Sequence, residues 1–263
     1  MRALSFLCLA PGLLLAQAPR IGVIDFYGLR HVTEKQLRNA LRVREGDPIP
    51  PSKGAVEERL ERVSGVFRAR LEAVCCQGEG AILYVGIEER GAPHFEFHPA
   101  PTGDASLPEP ILDSYRGFLA AVERAVRAGP VSDNIAQGYA LSSDPIARAY
   151  QEGFRMQAAA HLDVLRQVLQ DSADASQRAC AAYIIGYAPA KPALVNDLQY
   201  AMQDPNESVR ANAAGSLTAL AALAARESKY GIRVEPTWFI EMLNSLVRSD
   251  RTRAANALVA LTE

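Results

Sequence analysis

The chain has 263 residues, 49% of them hydrophobic and 22% charged, which is material for one large or two modest globular domains and too apolar for a disordered polypeptide. Its 28 Lys and Arg against 30 Asp and Glu give a net charge of −2. No basic cluster stands out, so neither a nucleic-acid backbone nor an anionic membrane surface is an expected partner.

Residues 1–18 form the first element. Arg2 precedes an apolar stretch from Leu4 to Leu15, and Ala16-Gln17-Ala18 supplies the small-x-small ending of a secretory signal peptide. The apolar part is shorter than the ~20 residues of a spanning helix. The expectation is an exported chain, periplasmic or otherwise outside the cytosol, soluble or peripherally attached. Pro19 follows the cleavage point and hinders the peptidase, so an uncleaved anchor is the alternative. Cys8 is not read as a lipid-attachment site, because Ser5-Phe6-Leu7 lacks the small residues expected before one. Export leaves Cys75, Cys76 and Cys180, an odd set that implies one bridge plus a free thiol, or an intermolecular bond. Adjacent cysteines make a strained bridge, so strand alternation placing one thiol inside and one outside is the simpler reading of Cys75-Cys76.

From residue 20 to 90 the order is strand, helix, helix, strand, strand. Ile24 and Phe26 alternate with Val23 and Asp25 until Tyr27-Gly28 ends the run. Thr33-Glu34-Lys35-Gln36 is a capping box, opening a helix with Leu37 and Leu41 on its apolar face. Glu45-Gly46-Asp47-Pro48 is expected to stop it. A second helix over Ser52–Ser64 carries Val56, Leu60 and Val63, with Glu57, Glu58 and Arg62 outside. Alternation resumes with Phe67, Ala69, Leu71 and Ala73 expected inside, and Arg68, Arg70 and Glu72 facing out. Ile82 to Ile87 follows as the most uniformly apolar strand and the expected centre of three.

Ile24-x-Phe26-x-Gly28-Leu29-Arg30-x-Val32, Gly46-Asp47-Pro48-Ile49, Gly65-Val66-Phe67 and Val85-Gly86-Ile87-Glu88-Glu89 together resemble the POTRA domain. What that resemblance implies is an α+β unit that binds polypeptides in the cell envelope by adding a strand to a sheet edge. Its sheet order would place Val66 to Val74 at the edge, so Arg68, Arg70 and Glu72 are the candidate partner-binding residues. Charges there also protect an edge from aggregation, and both readings stand. Relatives usually carry several copies beside a membrane barrel, whereas this chain has one.

Residues 91–110 contain five prolines and read as a linker or irregular clasp. His94, Glu96 and His98 alternate as zinc ligands can, but nothing nearby would orient them, so no metal is assigned. Residues 111–263 read as a helical domain. Leu112, Tyr115, Leu119, Val122 and Val126 fall at helical intervals, and residues 160–263 repeat themselves. Asp171 leads to Arg178-Ala179-Cys180-Ala181-Ala182, and Asp204 leads to Arg210-Ala211-Asn212-Ala213-Ala214. The aspartates are 33 residues apart and the arginines 32. A degenerate copy joins Asp250 to Arg253-Ala254-Ala255. Such a period signals stacked helix pairs. Asp204-Pro205 suits a helix start, with the carboxylate as cap. These features resemble bacterial HEAT repeats, which implies a protein-binding helical solenoid.

Asp171, Arg178, Asp204, Arg210, Asp250 and Arg253 are read as caps and ion pairs, since a catalytic group is needed once and a cap in every repeat. Tyr183, Tyr187, Tyr200 and Trp238 line either a surface or the core. With no nucleophile elbow, phosphate loop or metal motif, no catalytic residue or cofactor is assigned and the chain is read as a non-enzyme. The expected function is an exported adaptor or scaffold for a protein or extended polypeptide, such as an outer-membrane or envelope protein. The alternatives are an enzyme-associated, lyase-like repeat factor and a structural envelope component.

Overall fold

Three strands and two helices account for most of residues 21–89 in the computed structural model, which describes residues 19–74, 80–189 and 191–262. The signal segment, Cys8, Cys75 and Cys76 lie outside the described residues. The chain divides after Arg90 into two units. The fold is α+β, a small mixed sheet in the first unit and helices through most of the second.

Strands β1 (Ile21–Tyr27), β2 (Val66–Val74) and β3 (Ala81–Glu89) form a sheet in the order β1-β3-β2, with β3 parallel to β1 and antiparallel to β2. The most apolar strand is central because neighbours cover both its edges. Helices α1 (Glu34–Leu41) and α2 (Lys53–Glu61) contribute Leu37, Leu41, Val56 and Leu60 to a core shared with Ile21, Ile24, Ala69, Leu71, Leu83, Val85 and Ile87. The Thr33 capping box is present. Helix α1 ends earlier than the Gly46 signal indicates, at Arg42, whose φ of 59° is left-handed. Gly28, at φ +85°, turns the chain where a Cβ would meet the Ile87 carbonyl oxygen at 2.1 Å. Beyond that turn the Glu89 carboxylate accepts from the backbone N–H groups of Arg30, His31 and Val32 at 2.7–2.9 Å. Burial works against its charge, but the three donors outweigh it and hold Glu89 below the usual carboxylate range.

Two inward expectations fail on β2, at Phe67 and Ala73. Its register slips between Val66 and Arg68, so Phe67 is the extra residue of a bulge. Val66 takes the core position while Phe67 is 51% exposed, its ring 5.6 Å from the Arg68 guanidinium and 5.9 Å from that of Arg90. Ala73 is exposed as well.

In the second unit, α3 (Glu109–Ala128) leads to a short hairpin of β4 (Asp133–Asn134) and β5 (Leu141–Ser142), then to α4 (Pro145–Ala160), α5 (Leu162–Asp171), α6 (Ala175–Ile184), α7 (Lys191–Ala201), α8 (Glu207–Arg226), α9 (Thr237–Met242) and α10 (Arg248–Thr262). Helices α5 and α6, α7 and α8, and α9 and α10 pack as pairs, and α8 stands between α6 and α10.

A single hydrogen-bonding signature recurs before α4, α6, α8 and α10. The side chain of Ser142, Ser172, Asp204 or Ser245 accepts from the backbone N–H two residues later. Its own carbonyl accepts from an arginine six residues on: Arg148, Arg178, Arg210 or Arg251. This alignment corrects the sequence register. Ser172, not Asp171, matches Asp204, and Arg251, not Arg253, is the last arginine. Nor does Asp204 cap α8: Asn206 does, and Asp174 caps α6.

Two of these arginines reach the next turn. Arg178 grips the Asp204 carboxylate with two bonds, Nε at 2.7 Å and Nη2 at 3.0 Å, while Nη1 serves the Ser172 and Ala173 carbonyls. Arg210 repeats the arrangement with Asp250 and the Asp204 and Pro205 carbonyls. All four ionised side chains are at most 2% exposed. Asp171 is exposed, and so is Arg253.

The segment read as a linker or irregular clasp between modules belongs to the second unit, where it is a strap on the helices. His98 N donates to the Gln203 carbonyl, Gly103 exchanges backbone bonds with Asp171 and Ala173, and Leu107 N donates to Gln177 Oε1. Phe95 and Leu107 are buried in the helical core, and the Phe97 ring lies 4.4 Å from the Arg210 guanidinium. Prolines suit this role because an extended strap needs few backbone donors of its own. His94 Nε2 lies 3.4 Å from Glu96, while His98 stacks on Tyr200 at 4.3 Å, so these side chains do not converge.

Candidate functional site

The expected binding edge is occupied from within. Strand β2 is an edge strand, and Arg68 and Arg70 are exposed with Glu72 half-buried. However, the outward N–H of Ala69 donates to Glu61 Oε1 at 3.1 Å, and that of Leu71 to Glu57 Oε1 at 2.7 Å. Both carboxylates come from α2. Arg70, though exposed, reaches to α2, with Nη1 3.3 Å from Glu57 Oε2. Edge donors that sequence alternation leaves free are thus capped by side chains, which blocks strand addition at these two positions.

The helical unit offers a different surface. A cleft of about 490 Å³ opens among α3, the β4–β5 hairpin, α6, α8 and α10. Its aromatic wall is built from Phe118, Tyr183, Tyr187 and Tyr139, with centroids of 4.9 Å for Phe118–Tyr183, 5.6 Å for Tyr183–Tyr187 and 5.4 Å for Tyr139–Tyr187. Side chains one helical turn apart on α6 and the 3-10 turn that extends it, Ile185–Tyr187, place both tyrosine rings on the same face. The Tyr187 hydroxyl donates to the Ala140 carbonyl at 2.9 Å and lies 3.1 Å from the Tyr183 hydroxyl. Gln151, 1% exposed, ties Tyr183 to the backbone N–H of Ser142. The wall is therefore preformed rather than assembled on binding.

Opposite it, α8 presents Ala211, Asn212, Gly215, Ser216 and Thr218. Gly215 lies within a 20-residue helix, where glycine costs about 1 kcal/mol relative to alanine, yet a Cβ there would meet nothing within 4 Å. Packing does not require this glycine, which lies exposed on the cleft wall. Asn212 donates to the Tyr115 hydroxyl at 2.9 Å and the Ala179 carbonyl at 2.8 Å. Leu119, 47% exposed, stands at the rim with Asp133 and Arg253.

Burial pushes the phenols of Tyr115 and Tyr183 up to about 12, and that of Tyr187 higher still. At neutral pH they remain hydrogen-bonding groups and do not supply a phenolate. Desolvation also raises Asp133 above the ordinary aspartate value. Cys180, buried and unbridged, is pushed up to about 12 by burial, so its thiol is unreactive. The arrangement offers stacking faces, fixed polar groups and one charge of each sign at its mouth.

Of the residues singled out in the sequence, Tyr183 and Tyr187 meet in this cleft and Arg253 joins its rim, whereas Tyr200 stacks on His98 and Trp238 packs against the helical core. Gln151, Tyr139 and Gly215 were not visible as site residues, since they come from segments with no shared motif. Among the described residues no helix is long and apolar enough to cross a membrane, and no three His, Cys, Asp or Glu side chains gather as a metal site. No protein-family profile, curated protein or solved structure matches this chain.

Proposed function

We propose that the protein is an exported, non-catalytic adaptor that holds an extended polypeptide of the cell envelope in the tyrosine-lined cleft of its helical unit. The observation that carries this reading is the open cleft, crossing three neighbouring helices and lined by Gly215. Its wall combines flat aromatic faces with hydroxyl and amide groups, the chemistry that engages both side chains and backbone of a bound segment.

The POTRA resemblance is supported by the β-α-α-β-β order and by the β1-β3-β2 sheet. The HEAT-like solenoid reading is supported by the recurring turn and by α6, α8 and α10 side by side. Within this reading the first unit serves as a spacer or second surface. Its β2 edge engages a strand only if Glu57 and Glu61 release the backbone.

A photocrosslinking residue at Leu119 tests the proposal in producing cells. It is expected to label envelope polypeptides, and labelling is expected to fall when Gly215→Trp fills the cleft while the circular-dichroism melt is retained. Undiminished labelling of the same species in the filled variant would assign the contact to another surface and overturn the reading. N-terminal sequencing is expected to find a mature chain beginning near Pro19, and abundant cytosolic protein retaining Met1 would remove the export assignment.

A further inference from the structure

A second cleft, of about 670 Å³, lies on the other side of the Tyr139–Tyr187 pair and has a lysine in its wall. Lys191 is 7% exposed, and among the described residues no carboxylate lies within 4 Å of its ammonium. Its Nζ donates to the Gly186 carbonyl at 2.7 Å and the Gly138 carbonyl at 3.2 Å, and it sits 4.8 Å from the Tyr139 ring centroid. Gly138, at φ +76°, adopts the left-handed turn that presents its carbonyl. Two carbonyls use two of the three ammonium donors, and the third has no protein acceptor among the described residues.

Burying a cation without a counter-charge is unfavourable, and here two further features add to the positive potential. Arg155 lines the same cleft from α4, its guanidinium 5.5 Å from the Tyr139 ring. Lys191 is also the first residue of α7, where the helix end is itself positive. Burial, assisted by Arg155, lowers the lysine to about 8. The remaining titratable groups facing the cleft are Glu152 on α4 and Tyr139, Tyr187 and Tyr230. Glu152 is exposed and forms no pair with Lys191. Gln137 adds one neutral polar side chain, and the rest of the wall is apolar, including Met156, Leu223 and Pro189.

We propose that this cleft binds a carboxylate that carries an apolar tail, its oxygens accepting from Lys191 Nζ and the Arg155 guanidinium. The volume falls within the ~300–1,000 Å³ of small-ligand sites. Apolar walls with two cations fit a carboxylate better than a phosphate, which needs more donors to replace its hydration. A free small acid and the terminal carboxylate of a polypeptide share this chemistry. The inference does not depend on the adaptor reading, because it concerns a different cleft and a ligand that needs no envelope partner.

Calorimetric titration of the full chain with benzoate, N-acetyl-alanyl-phenylalanine and the C-terminal amide of that dipeptide tests it. Binding of either acid but not of the amide is the expected result, with affinity reduced about tenfold or more in Arg155→Gln. That arginine is exposed and takes no part in an ion pair, so the variant keeps its fold even where Lys191→Met does not. Tighter binding of the dipeptide acid than of benzoate identifies a chain terminus as the ligand, and the reverse a free acid. Bound acid is also expected to raise the apparent pKa of Lys191, read as slower modification by trinitrobenzenesulfonate at pH 8. No heat from either acid at millimolar concentration, or equal affinity for acid and amide, overturns the proposal, as does binding unchanged by Arg155→Gln.

Discussion

The two units place carboxylates at opposite kinds of partner. In the sheet unit Glu57, Glu61 and Glu89 accept from backbone N–H groups of an edge strand or loop. In the helical unit Asp204 and Asp250 accept from buried guanidiniums of the preceding turn. The first arrangement satisfies donors that secondary structure leaves unpaired, and its effect ends there. The second ties one helix pair to the next, so each arginine depends on a residue outside its own turn. A carboxylate lost from the sheet should cost locally, and one lost from the ladder should spread.

Asp204→Ala is the harshest test. It strands the Arg178 charge at 2% exposure, and a loss of about 3–5 kcal/mol is expected in denaturant unfolding. Hydrogen exchange should show α6 and α8 loosening together while β3 stays protected. The pair Arg178→Met with Asp204→Leu is expected to recover part of that loss, because no unpaired charge remains. A single-variant loss under ~1 kcal/mol would mean that the ladder does not tie the turns.

Glu89→Ala is expected to cost on the order of 1–3 kcal/mol by leaving three backbone donors unpaired, with exchange confined to the β1–α1 loop. Spread into the whole sheet would erase the contrast between the units. The same group predicts a pH response. Its pKa is lowered on folding, so its stabilisation is full above the unfolded value of about 4.3 and is lost as pH falls through the folded value. Glu89→Gln should therefore flatten the acid limb of the stability profile, and an unchanged limb would count against the clamp.

Smaller effects address the surfaces. Gly215→Ala is expected to raise stability by about 0.5–1 kcal/mol, since the methyl meets no neighbour and the unfolded chain loses freedom. A destabilised variant would show that the glycine is needed for packing after all. Phe67→Ser is expected to cost no more than about 1 kcal/mol, because the bulge has already put half of the ring in solvent and leaves it surface contacts with Arg68 and Arg90. A loss of 2 kcal/mol would restore Phe67 to the core.

Much of the local structure was legible. The Thr33 capping box, the strand and helix order, the central position of Ile82 to Ile87 and the recurrence of an arginine ahead of a run of alanines are all set by neighbours in the chain. The register of the recurring turn was not, because Ser and Asp both serve as its acceptor and only the arginine-to-carbonyl bond six residues away identifies the equivalent positions. For the same reason Asp171 and Arg253 looked equivalent to residues they do not match.

What the sequence alone determined is the local pattern: which segments turn, cap and alternate, since these depend on side chains a few residues apart. Only tertiary structure decided that a proline-rich segment is a strap, that Phe67 faces solvent, that α2 carboxylates close the β2 edge, and that five elements meet around Tyr183 and Gly215. Each depends on distance and direction between residues far apart in the chain, and no local periodicity encodes those quantities.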